Sequence, residues 1–108
     1  MRAALLREME DVPIIVSPVC GVPAFRHRER NWKTDSKPIG LFEAMMPVTP
    51  WNLLGMPALT VPFGISADGL PIGVQLIGRP YEEEVILEVA TRLEQARGPF
   101  PSPTGFGQ

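Results

Sequence analysis

The chain has one cysteine and one histidine among its 108 residues, and no two of its serines are adjacent. Each scarcity removes a class of chemistry. A lone Cys20 excludes an internal disulfide and fits a reducing cytoplasm. With only Cys20 and His27 to offer, a closed zinc site would have to draw half its four ligands from carboxylates; no metal and no other cofactor is expected. A Cys20–His27 nucleophile pair lacks both a surrounding signature and a third group to orient the base, and no G-x-S-x-G elbow is present. The serines are Ser17, Ser36, Ser66 and Ser102, none inside a Gly/Ser-rich run, and the lysines are Lys33 and Lys37, both in an irregular polar stretch. A net charge of −2 leaves no basic excess for a nucleic-acid partner. No apolar run approaches the roughly 20 residues that span a bilayer. The first ten residues, MRAALLREME, contain no apolar core of a secretory signal. These readings lead to an expectation of a cytoplasmic chain that binds neither membrane nor nucleic acid.

What is present reads as globular: 44% of residues are hydrophobic and 20% charged. A chain of this length is one domain or part of one and can bury roughly 65% of its extended surface. Eight of the 13 prolines fall in two places, residues 18–50 and the tail GPFPSPTGFGQ at 98–108, which should be extended and mobile. No internal repeat is found.

Residues 52–78 carry the most information. Leu59, Val61, Phe63 and Ile65 alternate with Thr60, Pro62 and Gly64, the period of a strand with one buried face. Pro62 has no N–H for a ladder, so this strand should be an edge, or the Pro62 nitrogen should point away from its neighbour. The turn residues Ser66, Ala67, Asp68 and Gly69 follow, and Ile72, Val74 and Leu76 then alternate again, completing a β-hairpin. Gly73 and Gly78 let another segment approach the backbone closely. Gln75, on a strand between Val74 and Leu76, reads as a tether for a neighbouring loop before it reads as a substrate contact. After Pro80 the period changes: Ile86, Val89, Ala90, Leu93 and Ala96 lie on one helical face. Glu82, Glu83 and Glu84 sit at the helix start, and Arg92 and Arg97 near its end, where the dipole favours each sign. Glu88 and Arg92 are spaced for an ion pair, and Gly98 with Pro99 stops the helix.

Upstream, residues 49–55 read as a very short helix with Thr49 as N-cap, Pro50 first and Gly55 just past the end. Residues 12–16, VPIIV, form a near-continuous apolar run that suits a strand buried on both faces, as in a parallel sheet. Residues 1–10 have Ala4, Leu5 and Met9 at helical spacing and feed that strand.

The order of these pieces is similar to the C-terminal part of the amidase signature family of amide hydrolases. The matching pieces are a helix, Asp11 before an apolar strand ending in Pro18, N-x-x-G-x-P-A at 52–58, G-L-P-x-G-x-Q-L-I-G at 69–78, and the acidic helix from Glu82. No tetrad is specific alone; the ordered set with its spacing is. The resemblance implies an α/β fold with a mixed sheet, including the hairpin at about 58–65 and 71–78, covered by helices at about 1–10 and 82–97. It assigns residues 1–97 to the amidase-type domain and leaves 98–108 as a Pro/Gly-rich tail. It also implies hydrolysis of a carboxamide by a Ser–cis-Ser–Lys triad through an acyl-enzyme. In the family that triad lies in the N-terminal half, in a Gly/Ser-rich loop that this chain lacks. No catalytic residue therefore carries over. The chain is expected to be a segment of such an enzyme, inactive alone and meeting an amide substrate only together with the missing N-terminal part.

The resemblance places Phe42, Met45, Met46 and Trp51 near the substrate channel; an ordinary core role remains open, since Met serves both settings. Asn52 could face the acyl pocket or satisfy backbone groups at the helix end. The basic run at 26–33 reads as a solvated loop over an anion site, with Trp32 packed on its own loop or at an interface. A second reading of the whole chain is a non-catalytic module that self-associates, or binds a partner, through exposed strand edges.

Overall fold

The computed structural model describes residues 1–34 and 37–103. A three-stranded antiparallel sheet in the order β1-β5-β4 forms the centre, with β1 at Ile15–Pro18, β4 at Ala58–Ile65 and β5 at Pro71–Ile77. The hairpin and its boundaries match the alternation in the sequence. Ser66 accepts the Gly69 N–H on its carbonyl and the Leu70 N–H on its hydroxyl, and Gly69 takes φ 83° to close the turn.

Alternation along the strands feeds two cores, one on each face of the sheet. Val61 and Leu76 meet Ile86 and Ala90 of α4 (Glu83–Arg97), with Ile14, Leu59, Val89 and Leu93 around them. Ile77 meets Met9 and Met56 on the opposite face, with Leu5 and Leu6 of α1 (Arg2–Glu8) and Trp51 and Leu54 of α3 (Thr49–Leu54) packed against them. Gly78 permits the first of these cores: a Cβ there would lie 2.6 Å from Ile86 Cγ1. Ala96, read as part of the buried stripe of α4, is exposed. The Glu88–Arg92 pair forms at 3.2 Å. Arg79 fastens the two faces at one corner by donating to the Met9 carbonyl and to Glu82 at 2.7 Å. At the other end of α4, Arg97 donates to the Pro62 carbonyl.

Among the described residues β4 pairs only with β5, so Pro62 does sit on an edge, beside a register shift between Pro62 and Gly64. The expectation for residues 12–16 is corrected. The strand begins at Ile15, runs antiparallel to β5 and forms the other edge, and Val12 and Val16 are each 58% exposed. Pro13 cannot donate to a ladder, and nothing in the described residues covers the outer side of this strand. Thr49 is likewise not an N-cap. A 3-10 turn at Met46–Val48 runs straight into α3, and the Thr49 hydroxyl instead bonds the Met45 carbonyl at 3.2 Å. Gly55 ends α3 at φ 67°, as its position suggests.

The stretch read as irregular and polar contains a second hairpin, β2 (Asn31–Thr34) with β3 (Lys37–Gly40), and α2 (Leu41–Ala44) follows it. Trp32 stands opposite Ile39 and makes an edge contact with Phe25, ring centroids 4.8 Å apart. Trp32 thus packs on its own loop. Ser36 lies outside the described residues, as does the part of the 98–108 tail from 104 onward.

Candidate substrate-facing surface

The candidate residues occupy one continuous segment, from α2 through the 3-10 turn to α3. Prolines shape it: Pro47 sits at the start of the 3-10 turn and Pro50 in the first turn of α3, where a missing N–H costs nothing. On this segment Phe42 is 77% exposed and Met46 46%, while Met45 is half-buried. Trp51 faces inward against the Met9, Met56 and Ile77 cluster, with its indole N–H buried and without a hydrogen-bond partner. Asn52 is exposed on the outer side of α3; its backbone carbonyl accepts the Gly55 N–H, but its side-chain amide does not cap the helix end. The segment therefore splits the set. Phe42, Met46 and Asn52 present outward, Met45 is intermediate, and Trp51 belongs to the inner packing.

Gln75 holds this segment to the sheet. It is 3% exposed and donates from Nε2 to the Pro18 carbonyl at 2.9 Å and to the Pro47 carbonyl at 2.8 Å. The tether read from the sequence exists, and it reaches two segments. A further link, between the Gly21 N–H and the Ala44 carbonyl at 2.7 Å, joins the loop after β1 to α2. No pattern in the sequence singles out Gly21. Its signal is steric, since a Cβ there would stand 3.2 Å from Ala44 Cα.

A shallow cleft of about 260 Å³ opens beside this latch, lined by residues 19–24 on one side and by Pro71, Ile72 and Gly73 on the other. A second, of about 290 Å³, lies between Arg2, Gly55 and Met56 and the start of α4 at Pro80, Tyr81 and Glu83. None of the five candidate residues lines either cleft. Cys20 lines the first and is a free thiol, while His27 is exposed in a turn. The Ser17 hydroxyl donates to the Pro18 carbonyl, and Ser66 serves its turn, so both are engaged with backbone. Among the described residues no group of three His, Cys, Asp or Glu side chains is placed to hold a metal ion, and no helix is long and apolar enough to cross a membrane.

Comparison with known proteins gives this arrangement its context. The Amidase family model matches residues 1–87. A glutamyl-tRNA(Gln) amidotransferase subunit from Bartonella bacilliformis is 44% identical over 89 residues, which cover 82% of this chain and 18% of that protein. Among solved structures, an amidase superposes with a TM-score of 0.78 at 31% identity, covering 90% of this chain and 22% of its own. A 6-aminohexanoate cyclic dimer hydrolase superposes at 0.73 and 28% identity, covering 89% and 22%. This chain thus spans about a fifth of the length of the relatives it matches. A family match over most of the chain, with a shared α/β architecture, leads to one conclusion: the chain belongs to the amidase family.

Proposed function

We propose that this chain is the C-terminal segment of an amide-hydrolysing enzyme, giving it scaffold and part of the wall of the acyl pocket. The groups that attack the amide belong to polypeptide outside these 108 residues. The reading is carried by the fraction of its relatives that the chain spans, about a fifth, in a sequence without adjacent serines. In the parent reaction a serine hydroxyl adds to the amide carbonyl, the amine leaves, and water releases the acid from the acyl-enzyme. Fixed donors stabilise the charge on the carbonyl oxygen. Phe42, Met45 and Met46 would meet the acyl group, with Trp51 and Asn52 behind them on α3. Residues 1–97 act as the amidase-type segment and 98–108 as a tail. The working assembly is cytoplasmic, needs no metal or other cofactor, and engages neither nucleic acid nor membrane.

The test is complementation. Alone, the purified chain should not hydrolyse simple aliphatic or aryl amides. Mixed with the N-terminal four-fifths of an amidase relative, it should bind and restore turnover. Hydrolysis by the chain alone, surviving removal of contaminating enzymes, would overturn the reading.

A second reading, a non-catalytic module that associates with itself or a partner, draws on the free sides of β1 and β4 and on Val16, Phe63 and Ile65, which are 58%, 40% and 52% exposed. Light scattering after size exclusion separates it from the first: a monodisperse monomer at high concentration counts against it.

A further inference from the structure

We infer that Gln75 is the positioning residue for the 45–51 segment, a hydrogen-bond-donating latch that sets where the acyl wall stands on the sheet. The acyl role of that wall rests on the reading above; the latch does not. Gln75 lies on the central strand, opposite Ser17 of β1 and Thr60 of β4. Its side chain leaves the apolar pattern of β5 to spend one nitrogen on two carbonyls, Pro18 and Pro47, that are 57 and 28 residues away in sequence. A primary amide nitrogen carries two protons, so both bonds can be full ones. The Pro47 carbonyl belongs to a three-residue 3-10 turn, an element too short to hold its place by itself. A buried amide whose donors are both used on backbone carbonyls of two other segments, the end of β1 and the 3-10 turn, ties those segments together; removing it strands the Pro47 acceptor, while Pro18 keeps the Ser17 hydroxyl. Through Pro18 and Pro47 the latch sets the spacing between the loop after β1 and the segment that carries Met45, Met46 and Trp51.

The discriminating variant is Gln75→Glu, nearly identical in volume and opposite in hydrogen-bonding sense. An ionised carboxylate only accepts and would face two carbonyl oxygens; its protonated form donates again. The two partners are backbone carbonyls and do not titrate. The readout is the emission of Trp51, four residues beyond Pro47, in a Trp32→Phe background that leaves it the sole indole. Burial and the facing carbonyl oxygens push the introduced carboxyl above its ordinary range, so Trp51 emission of the Gln75→Glu chain should be near the parent value at about pH 4 and red-shifted by about pH 10. The parent chain, measured in parallel, should stay unchanged, and Gln75→Leu should be shifted at both. Far-UV circular dichroism reports whether the sheet persists. Parent-like emission of Gln75→Glu all the way to about pH 10, or no recovery on acidification, would overturn the latch. In the complemented assembly, Gln75→Leu should raise KM for long acyl amides about tenfold, the scale set by misplaced apolar contacts, with a smaller fall in kcat. An equal fall in kcat at every acyl length would overturn the positioning role. Absence of complementation would refute the functional reading, while the Trp51 profile still decides the latch.

Discussion

Gly78→Ala tests whether the contact between β5 and α4 is as tight as the geometry says. The added Cβ would lie 2.6 Å from Ile86 Cγ1, 2.7 Å from its Cδ1 and 3.7 Å from Ile14 Cδ1. Ile86 is 2% exposed and held between Val61, Leu76 and Ala90, so it cannot simply swing into solvent. Gly78 has no positive φ, so backbone strain is not at issue. Overpacking a full core costs about 1–3 kcal/mol. Replacing Gly with Ala returns about 0.4–1 kcal/mol by restricting the unfolded chain. The net loss should be about 1–2 kcal/mol. Gly73→Ala is the control. Its Cβ would meet Thr60 Cγ2 at 2.9 Å, but Thr60 is exposed on an edge strand and can turn away, and the next contacts are ordinary at 3.4 and 3.5 Å. That change should cost less than about 1 kcal/mol. Urea unfolding followed by circular dichroism measures both, with midpoint shifts of about 1 M or more for Gly78→Ala at an m-value near 1 kcal/mol/M. Ile86→Val, which removes one terminal methyl, should cost less in the Gly78→Ala background than in the parent, a coupling that a double-mutant cycle resolves. Equal or greater stability for Gly78→Ala than for the parent, or a larger loss for Gly73→Ala, would refute the packing argument.

Three further outcomes follow from burial and backbone conformation. Leu76→Ala, at a fully buried position, should cost about 2–5 kcal/mol, whereas Leu53→Ala, 80% exposed, should stay within about 0.5 kcal/mol in the same denaturation assay. Gly55→Ala forces a Cβ into φ 67° with open space around it, so the loss is conformational alone, about 1 kcal/mol, read as a lower thermal midpoint. Arg92→Ala removes a pair whose side chains are 75% and 66% exposed, so the change should be under about 0.5 kcal/mol and should shrink further in added salt.

The hairpin and α4 are legible in the sequence because their periods differ so sharply. Leu59 and Val61 against Leu76 and Val74 keep a two-residue beat, and from Ile86 the beat becomes helical. Gln75 is legible as a tether because an amide inside an apolar strand has to spend its donors somewhere, and two loop carbonyls receive them. The β2–β3 hairpin is not legible. Its single apolar cross-strand pair, Trp32 with Ile39, is flanked by charges and prolines, so no alternation builds up. The position of β1 differs from its sequence reading because an apolar run reports hydrophobicity, and not how many neighbours the strand has. Thr49 imitates a cap because local chemistry marks a helix start equally well when a tighter turn already leads into it. The candidate site is legible as a segment and not as a set of directions. Only packing reveals that Trp51 turns inward while Phe42 and Met46 turn out.

Burial along β5 runs in one direction, and this orders the rest. Gln75, Leu76 and Ile77 are all buried, feeding the latch, the α4 core and the α1–α3 core in turn. At the other end of the same strand Ile72 is 42% exposed, next to Phe63 and Ile65 of β4 and to the cleft walled by residues 19–24. The Gly21–Ala44 bond brings α2, with exposed Leu41 and Phe42, to that same loop. Uncovered apolar side chains thus gather toward one end of the sheet, with Val16 on the outer side of β1 as an exception, while helices cover both faces of the other end. Isolated apolar residues on a surface need no explanation, but a cluster continuous with an open cleft does. The closed end explains how this segment keeps its shape. Gln75 stands between the two ends and holds the 3-10 turn through the Pro47 carbonyl.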